Sequence, residues 1–149
     1  MSTVTQHRTT RPSDAIAEIE HLIKKQRPLM IWGPPGIGKS DIVHQIGERL
    51  KREVIDLRLL LMEPTDLRGI PYYNKEKNMM DWAPPVDLPS DPKSNAILFL
   101  DELNAAPPAV QAAAYQLILN RRIGTYKLPD GVAVVCAGNR ESDRGVTYR

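Results

Sequence analysis

Residues 33–40 of this 149-residue chain, Gly-Pro-Pro-Gly-Ile-Gly-Lys-Ser, constrain its fold more than any other feature of the sequence. They match the pattern G-x-x-x-x-G-K-[ST], in which backbone N–H groups and the first turn of a helix surround a phosphate. The apolar run Leu-Met-Ile-Trp precedes the loop, and apolar residues at helical spacing follow it. A strand, this loop and a helix in that order predict an α/β fold with an anion site where the strand ends.

The residue types predict how such a loop would bind a nucleotide. Pro34 and Pro35 have no N–H group, so the donors must come from the residues that follow them. We expect Lys39 to reach the β- and γ-phosphate oxygens and the Ser40 hydroxyl to ligate Mg²⁺. The candidate nucleotide-binding residues are Gly33, Pro34, Pro35, Gly36, Ile37, Gly38, Lys39, Ser40 and Asp41.

Two further apolar runs each end in polar residues. Residues 96–100 lead into Asp101 and Glu102, and residues 132–137 lead into Asn139. We expect Asp101 to hold Mg²⁺, directly or through water, and Glu102 to polarise a water for attack on the γ-phosphate. Asn139 is a candidate for orienting that water. The alternatives are that the acidic pair caps a helix and that Asn139 occupies a turn with left-handed geometry.

The rest of the chain alternates strands and helices. Strands are predicted over residues 29–32, 53–59, 96–100 and 132–137, and helices over 13–26, from the loop to about residue 49, and over 107–120. This order predicts a parallel sheet flanked by helices. Residues 70–73 and 79–82 are predicted to pair as a hairpin. We expect residues 1–11 to be a flexible tail and residues 12–149 to form one nucleotide-binding core.

Composition excludes several other classes of protein. The single cysteine, Cys136, rules out an internal disulfide framework. The longest apolar stretch, residues 132–137, is far shorter than the ~18 residues of a membrane span. A net charge of +2 is too small to indicate binding to nucleic acid or to an anionic membrane. We therefore expect a soluble, cytoplasmic domain without a membrane partner.

The three motifs together resemble those of AAA+ ATPases. The stretches Gly-Pro-Pro-Gly-Ile-Gly-Lys-Ser, Leu-Asp-Glu-Leu-Asn-Ala-Ala-Pro-Pro and Ala-Gly-Asn-Arg are most similar to those of the MoxR-like branch, whose members are chaperone-like and often act with von Willebrand factor A proteins. The resemblance implies a P-loop NTPase fold with residues 33–40 as Walker A, Asp101 and Glu102 as Walker B, and Asn139 as sensor 1. It also implies that the strand before Asn139 lies between the other two motif strands.

The same resemblance sets expectations for the complete protein. In the family, an arginine finger, a fifth core strand and a helical lid follow downstream of sensor 1. We therefore expect this sequence to be an incomplete core, with weak hydrolysis by itself. The resemblance further implies a homo-oligomeric ring, expected to be a hexamer, and a possible von Willebrand factor A partner.

Three functions follow as hypotheses. The first is a chaperone or remodelling ATPase core that uses ATP and Mg²⁺. The second is a nucleotide-binding fragment without significant turnover, and the third is a nucleic-acid motor or loader, which the small net charge and the lack of a basic stripe disfavour. ATP is favoured because the guanine-reading pattern Asn-Lys-x-Asp is absent from the sequence. Residues 139–144 are faintly similar to a motif of GTP-using AAA+ restriction subunits, which leaves GTP as an alternative.

Overall fold

The computed structural model of the chain describes residues 8–10, 12–33, 38–85, 87–139 and 146–148. Its strands are β1 Arg8–Thr10, β2 Leu29–Trp32, β3 Val54–Arg58, β4 Ile70–Asn74, β5 Met79–Ala83, β6 Ile97–Asp101, β7 Arg122–Ile123, β8 Tyr126–Lys127, β9 Ala133–Gly138 and β10 Val146–Tyr148. Its α-helices are α1 Pro12–Lys24, α2 Lys39–Leu50, α3 Pro64–Arg68 and α4 Pro108–Asn120. Single 3-10 turns span Leu59–Leu61 and Leu103–Ala105.

One six-stranded sheet organises the molecule, in the order β1-β10-β2-β9-β6-β3. Strands β2, β9, β6 and β3 run parallel, whereas β10 is antiparallel to β2 and to β1. The predicted parallel sheet flanked by helices is confirmed. Strand β9 lies between β2 and β6, as the resemblance implied, so the three motif strands end side by side at one edge of the sheet.

Helices cover both faces of the parallel strands. Ile97 and Phe99 of β6 pack with the buried residues of α1 and α2, whereas Leu98 and Leu100 pack with those of α4. Successive strand residues point to opposite faces, so a strand covered on both faces must be apolar throughout. This explains why residues 96–100 and 132–137 are continuous apolar runs in the sequence.

The two predicted hairpin segments pair in the structure. Strands β4 and β5 form a separate antiparallel ribbon with Ile70 opposite Ala83, which confirms the prediction. The side chains of Ile70, Tyr73, Met79 and Met80 are each more than half exposed. The hairpin therefore contributes little to the core under the sheet.

Several elements differ from the prediction. The expectation of a flexible tail over residues 1–11 is wrong for residues 8–10, which form β1 against β10. Neither β10 nor the ribbon of β7 and β8 was predicted, because strands of two or three residues are too short to show a periodic pattern. Within the described segments, no helix is both long enough and apolar enough to cross a bilayer.

Candidate functional site

Lys39 is buried at the start of α2, and its ammonium lies between two strand ends. Nζ donates a hydrogen bond to the carbonyl oxygen of Gly33 at 2.6 Å and another to Oδ1 of Asn139. Gly33 follows β2, and its own N–H donates to Gly138 O of β9 at 3.2 Å. The ammonium is thus held at the edge where β2 and β9 end, surrounded by oxygen acceptors.

Helix α2 begins beside this ammonium. Gly38 precedes it with φ +80° and ψ 32°, a left-handed conformation that glycine adopts without strain. Asp41 lies in the first helical turn, where the helix dipole favours a negative charge. The other predicted loop residues, Pro34, Pro35, Gly36 and Ile37, lie outside the residues that the structure describes.

The acidic pair emerges from the neighbouring strand. Asp101 ends β6, and its Oδ1 accepts the backbone N–H of Glu102 at 2.8 Å. Burial raises the pKa of Asp101 above its ordinary value, and the charges of Asp56 and Glu102 raise it further, while that hydrogen bond and Lys39 lower it. A half-buried carboxylate with a raised pKa gains from a cation placed beside it.

Glu102 has a left-handed backbone conformation, with φ 57° and ψ 40°. Its Oε2 is buried and has no hydrogen-bond partner among the described residues. The cation that pairs with it is Arg58, the residue opposite Asp101 on β3, whose Nε lies 3.8 Å from this oxygen. The carboxylate therefore keeps capacity to accept a further hydrogen bond.

Asn139 is fixed by a second asparagine. Its N–H donates to Oδ1 of Asn104 at 3.1 Å, and its carbonyl oxygen accepts from Nδ2 of Asn104. This pair of hydrogen bonds joins the turn after β6 to the end of β9. Gly138 lies so close to these groups that a Cβ there would be 2.7 Å from Cζ3 of Trp32 and 2.8 Å from Oδ1 of Asn104. Only glycine fits at this position.

Ser40 contacts a carboxylate that the sequence did not indicate. Its Oγ donates to Oδ2 of Asp56 on β3 at 3.1 Å, and Nε2 of His44 lies 3.2 Å from the same oxygen. Because a carboxylate only accepts, the histidine tautomer with a hydrogen on Nε2 fits this contact. The predicted metal ligands Ser40 and Asp101 thus both lie near the carboxyl ends of β3 and β6.

Seven of the predicted site residues line one cavity of about 260 Å³, and Gly33, although described, is not among them. Its described lining residues are Gly38, Lys39, Ser40, Asp41, Asp101, Glu102 and Asn139. Among the described residues, no group of three or more histidine, cysteine and acidic side chains is placed to hold a metal ion unaided. Mg²⁺ needs no such group, because it retains waters and is bound through one or two protein oxygens together with phosphates. The hydroxyl of Ser40 and the carboxylate of Asp101 fit that requirement.

Comparison with known proteins places this arrangement in a family. A family model described as an AAA domain of the dynein-related subfamily matches residues 28–141, about three quarters of the chain. This chain is an AAA domain. The match begins just before β2 and covers all three motif strands.

Curated relatives of the AAA domain include two much longer proteins. Midasin of Giardia intestinalis is 33% identical over 105 residues, which is 70% of this chain and 2% of that protein. The replication factor C large subunit of Pyrobaculum calidifontis is 43% identical over 35 residues, 24% of this chain and 8% of that protein. The AAA domain therefore spans a small fraction of these relatives.

Solved structures show the same fold at low sequence identity. A candidate ATPase of Cytophaga hutchinsonii aligns with a TM-score of 0.60 and 19% identity, over 93% of this chain and 42% of that one. NtrX of Brucella abortus in complex with ADP aligns with a TM-score of 0.56 and 18% identity, over 87% of this chain and 30% of that one. This chain therefore covers less than half of the length of either solved chain.

Asp56, Arg58 and Asn104 were missed by the sequence analysis. Asn104 lies inside the quoted stretch Leu-Asp-Glu-Leu-Asn, but nothing in the pattern indicates a contact across 35 residues. Asp56 was a detectable signal, since it is an acidic residue between the apolar residues Ile55 and Leu57 of a strand. Its contact with Ser40 depends on β3 lying beside β6, which sequence spacing alone does not fix.

Proposed function

We propose that this AAA domain binds ATP with Mg²⁺ and hydrolyses it to ADP and phosphate. The observation that carries the proposal is the position of Lys39 Nζ, between Gly33 O and Asn139 Oδ1 at the edge where Asp101 and Glu102 emerge. An ammonium, a helix N-terminus and two carboxylates around one small cavity form a site for a phosphate chain and a divalent cation.

The binding roles follow from the residue chemistry. Lys39 exchanges the acceptors Gly33 O and Asn139 Oδ1 for phosphate oxygens, and the N–H groups at the start of α2 bind the same anion. Ser40 Oγ and Asp101 are the protein oxygens that hold Mg²⁺, with Gly33 through Asp41 as the nucleotide-binding segment. When bound, the metal neutralises charge that builds up on the phosphate oxygens.

For the reaction, we assign two residues to the attacking water. Glu102 accepts a hydrogen bond from the water and polarises it for in-line attack on the γ-phosphorus, which releases ADP. The position of Glu102 in the cavity lining supports this role, as does its Oε2, which has no hydrogen-bond partner among the described residues. Asn139 orients the same water with its amide, and Asn104 supports it by holding the Asn139 backbone.

The nucleotide is ATP in this proposal. The ADP in the NtrX complex, on the same fold, supports an adenine nucleotide. The match of 35 residues with a replication factor C large subunit is the observation that favours a nucleic-acid-associated motor as the second candidate. The net charge of +2 weakens that candidate, because nucleic-acid binding depends on many cationic contacts.

At the level of the complete protein, we propose a MoxR-like remodelling ATPase that works as a homo-oligomeric ring, with a von Willebrand factor A protein as partner. The similarity of the Leu-Asp-Glu-Leu-Asn-Ala-Ala-Pro-Pro stretch to that branch supports this assignment. A nucleotide-binding role without turnover is the alternative. Phosphate release by the wild-type chain separates the two functions. Glu102→Gln should abolish this release while nucleotide binding is retained.

Isothermal titration of Mg-ATP and Mg-GTP into the chain tests the binding proposal. We expect ATP to bind more tightly than GTP, and Lys39→Ala to weaken binding at least about tenfold through loss of a charge-assisted contact. Lys93→Ala is the matched control, because Lys93 is an exposed lysine in a loop away from the cavity. A folded chain that binds neither nucleotide, or equal binding by the Lys39 variant, contradicts the proposal.

A further inference from the structure

Asp56 lies on β3, the strand next to β6, which carries Asp101. It contacts the proposed site through the side chain of Ser40. It accepts a hydrogen bond from Ser40 Oγ at 3.1 Å, and His44 Nε2 lies 3.2 Å from the same carboxylate oxygen. Ser40 and His44 are four residues apart on α2, so they lie on one face of the helix, one turn apart. The carboxylate therefore spans one turn of the helix that carries the phosphate-binding lysine.

The strand register places Asp56 on the correct face for this contact. Asp56 is opposite Phe99, and Arg58 is opposite Asp101, so Asp56 is two pairs away from Asp101 and on the same face of the sheet. Phe99 packs with the buried residues of α1 and α2, which identifies the face. The register of the edge strand β3 thus directs Asp56 to the face of the sheet that α2 covers, where its side chain remains 35% exposed.

The chemistry of a hydroxyl gives this contact a consequence. Serine has one hydrogen to donate and two lone pairs with which to accept or to ligate a cation. A carboxylate only accepts, so Ser40 must donate its single hydrogen to Asp56. Both oxygen lone pairs then remain available for a metal ion.

We propose that Asp56 is a positioning residue that orients the Ser40 hydroxyl for Mg²⁺, with His44 holding the carboxylate in place. The inference rests on the proposed function, since it concerns the metal that accompanies the nucleotide. It assigns Asp56 an effect on the metal-dependent part of nucleotide affinity. The contact of nucleotide phosphates with Lys39 stays independent of it.

The experiment measures the dissociation constant of ADP in Mg²⁺ and in EDTA, so that hydrolysis plays no part. The ratio of the two constants is the gain in affinity that the metal provides. We expect Asp56→Ala to reduce this gain about tenfold, as loss of an outer-shell partner does at other metal sites, without weakening ADP binding in EDTA. Asp56→Asn keeps an acceptor oxygen and should retain most of the gain. Binding of Mn²⁺ in the presence of ADP, followed by electron paramagnetic resonance, should weaken in parallel.

Two further variants identify the route of the effect. In a Ser40→Ala background, Asp56→Ala should have no additional effect on the gain, because Asp56 acts through the serine hydroxyl. Glu53→Ala is the matched control, since Glu53 is an exposed carboxylate next to β3 that makes no contact with Ser40. It should leave the gain unchanged.

Three results would overturn the inference, and they differ from one another. An unchanged gain in Asp56→Ala contradicts it directly. If Asp56→Ala reduces the affinity gain from Mg²⁺ as much in the Ser40→Ala background as it does alone, the carboxylate does not act through the hydroxyl. A wild-type chain whose ADP affinity does not depend on Mg²⁺ contradicts the proposed function as well.

Discussion

Asp101 is a buried carboxylate that the proposed metal site requires and whose burial lowers the stability of the fold. Burial at the end of β6 raises its pKa, with a further increase from the charges of Asp56 and Glu102. The folded chain thus holds the Asp101 proton more tightly than the unfolded chain does. The free energy of unfolding therefore falls as pH rises from below the ordinary aspartate pKa, near 3.9, through the raised one. The full cost is present once the pH exceeds the raised pKa.

Asp101→Asn should consequently stabilise the metal-free chain at neutral pH. The asparagine oxygen still accepts the Glu102 N–H, while the cost of burying a charge is removed. Urea unfolding at several pH values measures the effect. The difference from the wild-type chain should be positive at pH 7 and should shrink as pH falls through the raised pKa of Asp101 towards the ordinary value near 3.9.

Asp87→Asn is the control for this prediction, because Asp87 is an exposed carboxylate in a loop. It should change stability by no more than about 0.5 kcal/mol at any pH. A destabilised Asp101→Asn variant would mean that the carboxylate is paired more favourably than its burial indicates. Mg²⁺-dependent nucleotide binding should be lost in Asp101→Asn even though the fold gains stability.

At the same scale, the sequence predicted the residues whose chemistry is tied to a motif. Lys39, Asp101, Glu102 and Asn139 each follow or open an element with a clear apolar pattern, and the structure brings them to one cavity. Asp56, Arg58 and Asn104 were not predicted. Their contacts join elements that are neighbours only through the strand order, which is a long-range property of the fold.

Among the elements, α2 and β3 are in close contact at Gly47. A Cβ at this position would lie 2.4 Å from Cγ2 of Val54 and 2.9 Å from the carbonyl oxygen of Arg52. The helix that carries Lys39 and Ser40 therefore rests directly on the start of the strand that carries Asp56.

Gly47→Ala should destabilise the chain by about 1–3 kcal/mol through this clash. Alanine inside a helix ordinarily stabilises by roughly 0.5–1 kcal/mol relative to glycine, so the sign of the change is informative. The free energy of unfolding in urea gives the result. Glu48→Ala, at the exposed neighbouring position, should stay within about 0.5 kcal/mol of the wild-type chain. A more stable Gly47→Ala variant would contradict the close contact.

Elements were predicted where their own pattern is long enough to be distinctive. Strands β2, β6 and β9 are built on continuous apolar runs, and α4 Pro108–Asn120 begins one residue after the predicted start at residue 107. The ribbon of β7 and β8 has two residues in each strand, so no alternation can be seen. Strands β1 and β10 pair with each other although their paired residues are more than 130 positions apart in the chain. Local sequence patterns do not encode such a pairing.

For the molecule as a whole, Cys136 reports on the integrity of the sheet. It lies in β9, between β2 and β6, and it packs in the core that α4 covers. Burial raises the pKa of its thiol from 9.0 to about 12. Below pH 9 the thiolate fraction is thus far lower in the folded chain than in the unfolded chain. As the chain has one cysteine, any labelling signal comes from this position.

Native Cys136 should therefore react with a disulfide reagent at pH 8 only when the sheet opens. Because the central strand is released only when its two neighbours separate, the labelling rate should rise with urea at the slope of global unfolding. By the same linkage, the free energy of unfolding should fall as pH rises from 9 towards 12, since the unfolded thiol ionises first. Labelling that is independent of urea would mean that β9 opens locally.

The same measurement connects the core with the site. A ligand that binds only the folded chain adds RT ln(1 + [L]/Kd) to its stability. Mg-ADP at about 100 times its dissociation constant should therefore slow labelling of Cys136 about a hundredfold. In Lys39→Ala, the same nucleotide concentration should protect far less, whereas Lys93→Ala should behave as the wild-type chain does. If the Lys39 variant is protected as strongly as the wild-type chain, the nucleotide binds away from the cavity. Any ligand of the folded state protects Cys136, whereas Lys39 acts only within its own site.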